Sequence, residues 1–435
     1  MRKIFKKNIE SFEQFSNYST SDVQFKTGLF KLSFFYSIND PRKKYVIACL
    51  MGVILSIITT LLVEVTGLYS SGLTAFFQGV SRAIYVALSK NEVVDKYWLN
   101  VIYNLMFWGF YLLINLFLFK RYFSRMNRQC IYISAIFICT MQLCGFLWSF
   151  IPGLHSIMLF GDTSTVNEAL KEYNVQSVLY SPNWYPTVLE NGQYDWNNLI
   201  SSSEVQDPNV LSNVNSLNIC RGFLLILYAS IYAVPSSYIN SALFIMGGSS
   251  GGTELTSLYL SEAKNKDLSI FLKTLQATTM FAGVFVGTYL SGIIINPEKY
   301  YGWQYLFNAN FVGSFVWVFL NSLLVGKFFP SRKLVRVEIF TSDLTNILAN
   351  LKKYKYTHPT TIVNSIGGFL ANKNNILITV MQLTEIPNFV HIVRLTDKNS
   401  LISVTNIDDC DGRVGLQKVG IKSKKDNKYI NKYAY

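Results

Sequence analysis

Ser70-Ser71-Gly72-Leu73-Thr74 and Ser249-Ser250-Gly251-Gly252-Thr253 share the pattern S-S-G-x-T. Each follows a long apolar segment and precedes a shorter, more polar one. A duplicated Gly- and Ser-rich break inside a hydrophobic region points to a site built from broken membrane helices, as transporters use.

The surrounding composition agrees with a membrane setting. The chain has 435 residues, of which 50% are hydrophobic and only 15% charged. A soluble globular chain sits nearer a quarter charged. Apolar runs at 45–63, 101–119, 131–151, 222–246, 271–295 and 307–325 explain the deficit. Each is near or above the ~18 residues that make a spanning candidate. The expectation is an α-helical polytopic membrane protein. No apolar core precedes residue 45, so the first span is expected to serve as targeting signal, with no cleavable signal peptide.

Charge sets the orientation. Residues 1–44 carry nine basic and four acidic side chains, 120–128 four basic and none acidic, and 327–435 seventeen basic and eight acidic. Residues 152–219 reverse this, with one lysine and seven acids. Cytoplasmic loops collect Lys and Arg, so the net +13 reads as topology and not as a nucleic-acid surface. Both termini are expected in the cytoplasm of a multi-pass plasma-membrane protein. The connection 120–128 ends inside only if 72–89 dips in and returns without crossing. The second half repeats the plan, with 247–266 as its re-entrant segment. The result is two repeats of opposite sense, each three spans plus a half-helix.

The domains follow: a basic N-terminal segment at 1–44, a first membrane repeat at 45–151, an extracellular insertion at 152–219, a second repeat at 220–329, a cytoplasmic domain at 330–417 and a basic tail at 418–435. The insertion reads as a small lobe, helical near 167–173. In the cytoplasmic domain, 334–341 alternates like a strand. Residues 342–353 read as a helix capped by Ser342, 360–365 and 375–383 as strands, 384–395 as an amphipathic helix capped by Thr384, and 401–407 as a last strand. The order β-α-β-β-α-β is the ferredoxin-like split unit.

Non-helical backbone at membrane depth is tolerated only where protein or a water-filled cavity surrounds it. Glycine lets backbone approach a ligand, and hydroxyls supply donors and acceptors. Ser70, Ser71, Gly72 and Thr74 on one break, and Ser249, Ser250, Gly251, Gly252, Thr253 and Glu254 on the other, are the candidate solute-binding residues. Two half-helix N-termini meeting there would suit an anionic or zwitterionic ligand. Glu64 inside the first span and Glu254 are candidates for coupling to a proton or cation, with Gln78 a lesser ligand candidate. Gly283-x-x-x-Gly287-x-x-x-Ser291 reads as a close helix–helix contact.

No metalloprotease, phosphate-loop, nucleotide-fingerprint or nucleophile-elbow motif is present. The six cysteines contain no C-x-x-C pair, which supports neither zinc nor a redox motif. The expectation is no enzyme, no cofactor and no metal. Membrane lipids and a small-molecule solute are the expected partners; homo-oligomerisation stays open.

Gly247-Gly248-Ser249-Ser250-Gly251-Gly252-Thr253-Glu254 resembles the G-G-S-T-G-G-T-D motif of the YitT family of bacterial membrane proteins. Residues 67–74 are similar to that family's weaker N-terminal copy. Residues 375–383, then Thr384-Glu385-Ile386-Pro387, then 401–406 resemble the family's C-terminal domain. The insertion at 152–219 is longer than the family usually shows, and its G-G-Y-T-G turn appears as Gly367-Gly368-Phe369-Leu370-Ala371. The resemblance implies this architecture; the family carries no settled biochemical role. Two functions fit: a transporter or channel-like permease for a small polar or charged solute, regulated by the cytoplasmic domain, or a non-transporting membrane sensor or assembly factor.

Overall fold

A computed structural model describes residues 32–407 apart from 91–94, 161–183, 189–193, 202–207, 296–305, 367–372 and scattered shorter stretches. The helix expected at 167–173, the turn at 367–368 and the basic tail lie outside the described residues. The chain divides into two compact units, a helical one over Phe35–Arg332 and an α+β one that contains Lys333–Gln417.

In the helical unit, six described helices are long and apolar enough to cross a membrane. They are α1 (Pro41–Glu64), α3 (Tyr97–Tyr122), α4 (Arg128–Trp148), α5 (Pro208–Ile245, whose apolar part is Gly222–Ile245), α7 (Leu268–Ile294) and α8 (Ala309–Phe328). Two helices fall outside that set and follow the two breaks: α2 (Leu73–Lys90) and α6 (Gly252–Lys264). At 1.5 Å per residue they reach roughly 27 and 20 Å. Asp40, Asn127, Asp267 and Asn308 cap α1, α4, α7 and α8, each accepting from a backbone N–H of the first turn.

Side-chain placement is inverted relative to a soluble protein. Leu50 and Ile54 on α1, Leu113 and Phe117 on α3, Leu143 and Leu147 on α4, and Phe315 and Leu323 on α8 face outward. Asn115 on α3, Gln142 on α4, Gln276 on α7 and Asn321 on α8 are buried. Apolar outside and polar inside is what a hydrocarbon solvent selects. This is a helical polytopic membrane protein.

α1 packs along α4, α5 along α8, and α2 along α7. The α2–α7 seam uses the small-residue stripe. A Cβ on Gly283 would stand 2.3 Å from Ala75 O, and one on Gly79 would stand 2.1 Å from Gly283 O. Only glycine allows that backbone approach. Single π-type turns interrupt three spans, at Thr60–Glu64, Leu105–Gly109 and Phe285–Leu290.

Between α4 and α5, β1 (Trp184–Val188) pairs antiparallel with β2 (Tyr194–Ser201), with a bulge between Pro186 and Thr187. The sequence reading missed this hairpin. The helix of the following span extends ahead of its apolar part, from Pro208, while the span itself is Gly222–Ile245.

The α+β unit runs β3 (Leu334–Thr341), α9 (Leu344–Lys353), β4 (Thr360–Ile366), β5 (Lys373–Gln382), α10 (Ile386–Thr396) and β6 (Leu401–Asn406). The sheet order is β4-β5-β3-β6, antiparallel throughout. Val335, Val337 and Ile339 alternate onto one face and close with Leu377, Met381, Ile347 and Phe389 into a dry core. α9 starts at Leu344, with the Asp343 carbonyl accepting from Ile347 N (3.3 Å); the expected cap residue Ser342 lies outside the described residues. Residues Leu383–Glu385 form a 3₁₀ turn, so α10 starts at Ile386 with Glu385 as cap residue in place of Thr384. Burial lifts the Tyr356 phenol above its ordinary pKa while its hydroxyl pairs with Thr379 Oγ1 at 3.0 Å. Leu377→Ala is expected to cost about 2–5 kcal/mol and to lower the melting temperature of the full-length protein in detergent; an unchanged melt would remove this core from the account.

Candidate functional site

Both breaks leave backbone groups unpaired within the span region, and side chains from distant helices satisfy them. At the first break, α1 ends in its π-type turn. The chain reverses at Gly67 (φ 75°), runs extended to Ser70 and turns again at Gly72 (φ 66°) into α2. Gln78, one helical turn into α2, reaches back with both ends of its amide. It accepts from Ser70 N at 2.9 Å and donates to Leu68 O at 3.0 Å. Arg82 donates to Gly67 O at 3.1 Å and lies 4.2 Å from the Tyr69 ring centroid. From α8, Asn310 donates to Gly67 O at 2.9 Å and Ser314 Oγ accepts from Tyr69 N at 2.9 Å.

The second break is built alike. Gly247 (φ 84°) ends α5, and Gly248 N closes back onto Leu243 O at 2.8 Å. Ser249 N donates to Ser134 Oγ on α4 at 2.8 Å, and Ser249 Oγ accepts from Gly251 N at 3.2 Å. Asn115 on α3 accepts from Gly252 N at 2.6 Å and is aimed by its own bond to Tyr111 O.

The two breaks obey one spacing. The Tyr69 N–Ser314 Oγ bond and the Ser249 N–Ser134 Oγ bond join residues 180 positions apart, 69 to 249 and 134 to 314. The positive-φ pairs Gly67 and Gly247, and Gly72 and Gly252, share the interval, as do the π-type turns starting at 105 and 285. The S-S-G-x-T motifs align at 179, one residue out of this register; the structure equates Gly72 with Gly252 and Thr74 with Glu254.

The breaks also meet. A Cβ on Gly72 would stand 2.1 Å from Thr253 Oγ1. Ser71 Oγ donates to Glu254 Oε1 at 3.4 Å. Around this junction lies a small cavity of about 40 Å³, lined by Ser70, Ser71 and Thr74 from one break and Ser250 and Glu254 from the other. Gly72 and Thr253 form the seam beside it. Ser249, Gly251 and Gly252 do not line it; they hold the second break against α3 and α4. Glu64 does not line it either and is buried, with 1% of its surface exposed.

Glu254 is the head of a buried polar chain. Its oxygens accept from Gln276 Nε2 at 2.7 Å and Thr253 Oγ1 at 3.1 Å. Gln276 Oε1 accepts from Asn321 Nδ2, and Asn321 Oδ1 accepts from Ser236 Oγ, each at 3.4 Å. Tyr111, Tyr232, Ser236, Asn240 and Trp317 complete the wall with Leu55 and Met141. Sequence reading missed these partners. Their signal was present: Asn115, Gln276 and Asn321 are amides inside apolar spans, where a polar group is retained for a reason.

Gln78→Leu tests the backbone clamp. It strands Ser70 N, at about 1–3 kcal/mol, and leaves Leu68 O only its longer bond from Arg82, so the detergent-solubilised protein should melt earlier. An unaltered melting temperature would mean the amide does not hold the break.

The fold and the site define a class: a multi-pass helical membrane protein whose core polar cavity lies between two interrupted helices, joined in sequence to an α+β unit. Comparison adds relatives without an assigned activity. The family described as "Uncharacterized protein conserved in bacteria (DUF2179)" matches residues 358–412, within the α+β unit. The chain is similar to "Uncharacterized protein MG443" of Mycoplasma genitalium, 25% identical over 404 residues, covering 91% of this chain and 94% of that protein. It is similar to the MG443 homolog of Mycoplasma pneumoniae, 25% identical over 402 residues (90% and 92%). The MG432 homolog of the same organism is 23% identical over 397 residues (87% and 89%). No solved structure matches significantly.

Proposed function

We propose that this protein is a plasma-membrane transporter or channel-like permease for a small polar or charged solute, with both termini in the cytoplasm and the C-terminal unit, a ferredoxin-like domain, acting as regulator. The observation that carries the reading is the shared cavity: two broken segments from opposite halves of the chain contribute polar side chains to one buried space. A purely anchoring bundle has no use for such a space, because each polar group there costs free energy against hydrocarbon. The common 180-residue interval supports two repeats of opposite sense, each lending the other a serine to hold its break. Exchange of conformation between the repeats would open the cavity first to one side and then to the other.

The test is reconstitution of the full-length protein in proteoliposomes against a panel of monovalent cations, amino acids and anions. Specific flux of at least one class is expected, with Gly72 and Gly251 variants inactive. A panel in which nothing moves, together with capture of a stable partner complex, would replace this reading by the sensor or assembly function.

A further inference from the structure

We infer that the solute accepted by the cavity carries a single positive charge on an ammonium group. The inference rests on the permease reading and names its substrate class. Among the described lining residues, Glu254 is the one formally charged group. Its oxygens are met by Gln276, Ser71 and Thr253 and keep acceptor capacity beyond those three bonds. Arg82 is turned away onto the Gly67 and Leu68 carbonyls. The positive end of α6 is engaged, since Gly251 N and Gly252 N already donate to Ser249 and Asn115; at the first break Ser70 N donates to Gln78.

Two further acceptors await a donor. Asn240 Oδ1 and Ser250 Oγ both belong to lining residues, and both are buried without a hydrogen-bond partner. Asn240 is only 6% exposed. A buried acceptor left unmet costs about 1–3 kcal/mol, which a ligand donor would relieve. A primary ammonium has three N–H donors, enough for Asn240, Ser250 and the remaining acceptor capacity of Glu254. Tyr232 and Trp317, also in the wall, offer ring faces of the kind that attract ammonium groups. An anion would find the Glu254 carboxylate in the wall and, among the described lining residues, no cationic side chain to offset it. The sequence-based expectation of an anionic or zwitterionic ligand, drawn from helix N-termini, did not weigh that carboxylate.

The experiment uses proteoliposomes of the full-length protein with radiolabelled methylammonium, rubidium, glycine and chloride as separate probes. Methylammonium is expected to accumulate, and Glu254→Gln to reduce its uptake by about tenfold or more. Methylammonium is also expected to raise the melting temperature of the wild type, and to do so less for Asn240→Leu, a readout that does not depend on the fate of the Glu254 variant. Glycine uptake alongside methylammonium supports the ammonium assignment. Rubidium flux without methylammonium flux overturns it in favour of a bare alkali ion, and chloride flux alone overturns the positive charge while leaving the permease reading intact. Silence from every probe sinks the permease reading itself.

Discussion

Gly283→Val is expected to abolish recovery of folded protein. The position faces backbone: a Cβ there would stand 2.3 Å from Ala75 O and 2.6 Å from Ala75 C. Overpacking against movable side chains typically costs about 1–3 kcal/mol. Here the obstacle is the main chain of α2, which cannot rotate aside, and α2 is the helix that carries the first break. Separating α2 from α7 would pull Gly79 off Gly283 and Gly287 off Gly79. It would also break the Tyr69–Thr288 hydroxyl pair at 2.7 Å. Gly222→Ala is the control, because its added Cβ meets only Ala309 Cβ at 4.0 Å. Size-exclusion chromatography in detergent should show a monodisperse peak for Gly222→Ala and none for Gly283→Val. A normal Gly283→Val peak would mean that the two helices do not touch as described.

Gly72→Ala is expected to be far more damaging than Gly247→Ala. Both residues have positive φ, 66° and 84°. An L side chain in such a conformation costs about 1–2 kcal/mol. At Gly247 that is the whole penalty, because nothing lies within 4 Å of an added Cβ. At Gly72 the Cβ would collide with Thr253 Oγ1 at 2.1 Å, forcing the two breaks apart. Thr253→Ala removes the colliding atom and leaves Thr253 Cβ at 3.3 Å, so the double variant Gly72→Ala/Thr253→Ala should regain part of the lost melting temperature. Equal losses at the two glycines, with no rescue, would show that the seam between the breaks is not tight.

The spans, their order and the α+β unit were legible because each rests on a strong local signal. Twenty apolar residues, or strict alternation over Leu334–Thr341, leave few alternatives. The caps were less legible: Leu383–Glu385 closes into a 3₁₀ turn, which moves the cap of α10 from Thr384 to Glu385. The duplicated motif marks the two segments that meet at Gly72 and Thr253, but its serines align one residue out of the 180-residue interval shared by the positive-φ glycines. Sequence identity matched serine to serine, whereas the structure matches glycines of equal backbone conformation. Within the motif, Ser249 uses its N–H and hydroxyl oxygen to hold the break. Asn115, Ser134, Gln276 and Ser314 stayed hidden because their partners are more than twenty positions away, a distance at which periodicity carries no information.

The contact between the breaks can be measured by disulfide formation. In a background lacking the six native cysteines, Gly72→Cys and Thr253→Cys would bring their Cβ atoms to about 3.3 Å, close to the ~3.8 Å of ordinary disulfides. Mild oxidation of membranes should link the two positions, and peptide mapping should recover the joined fragments. Thiols that stay free under the same oxidation, each labelled by an impermeant reagent from opposite faces of the membrane, would contradict the account.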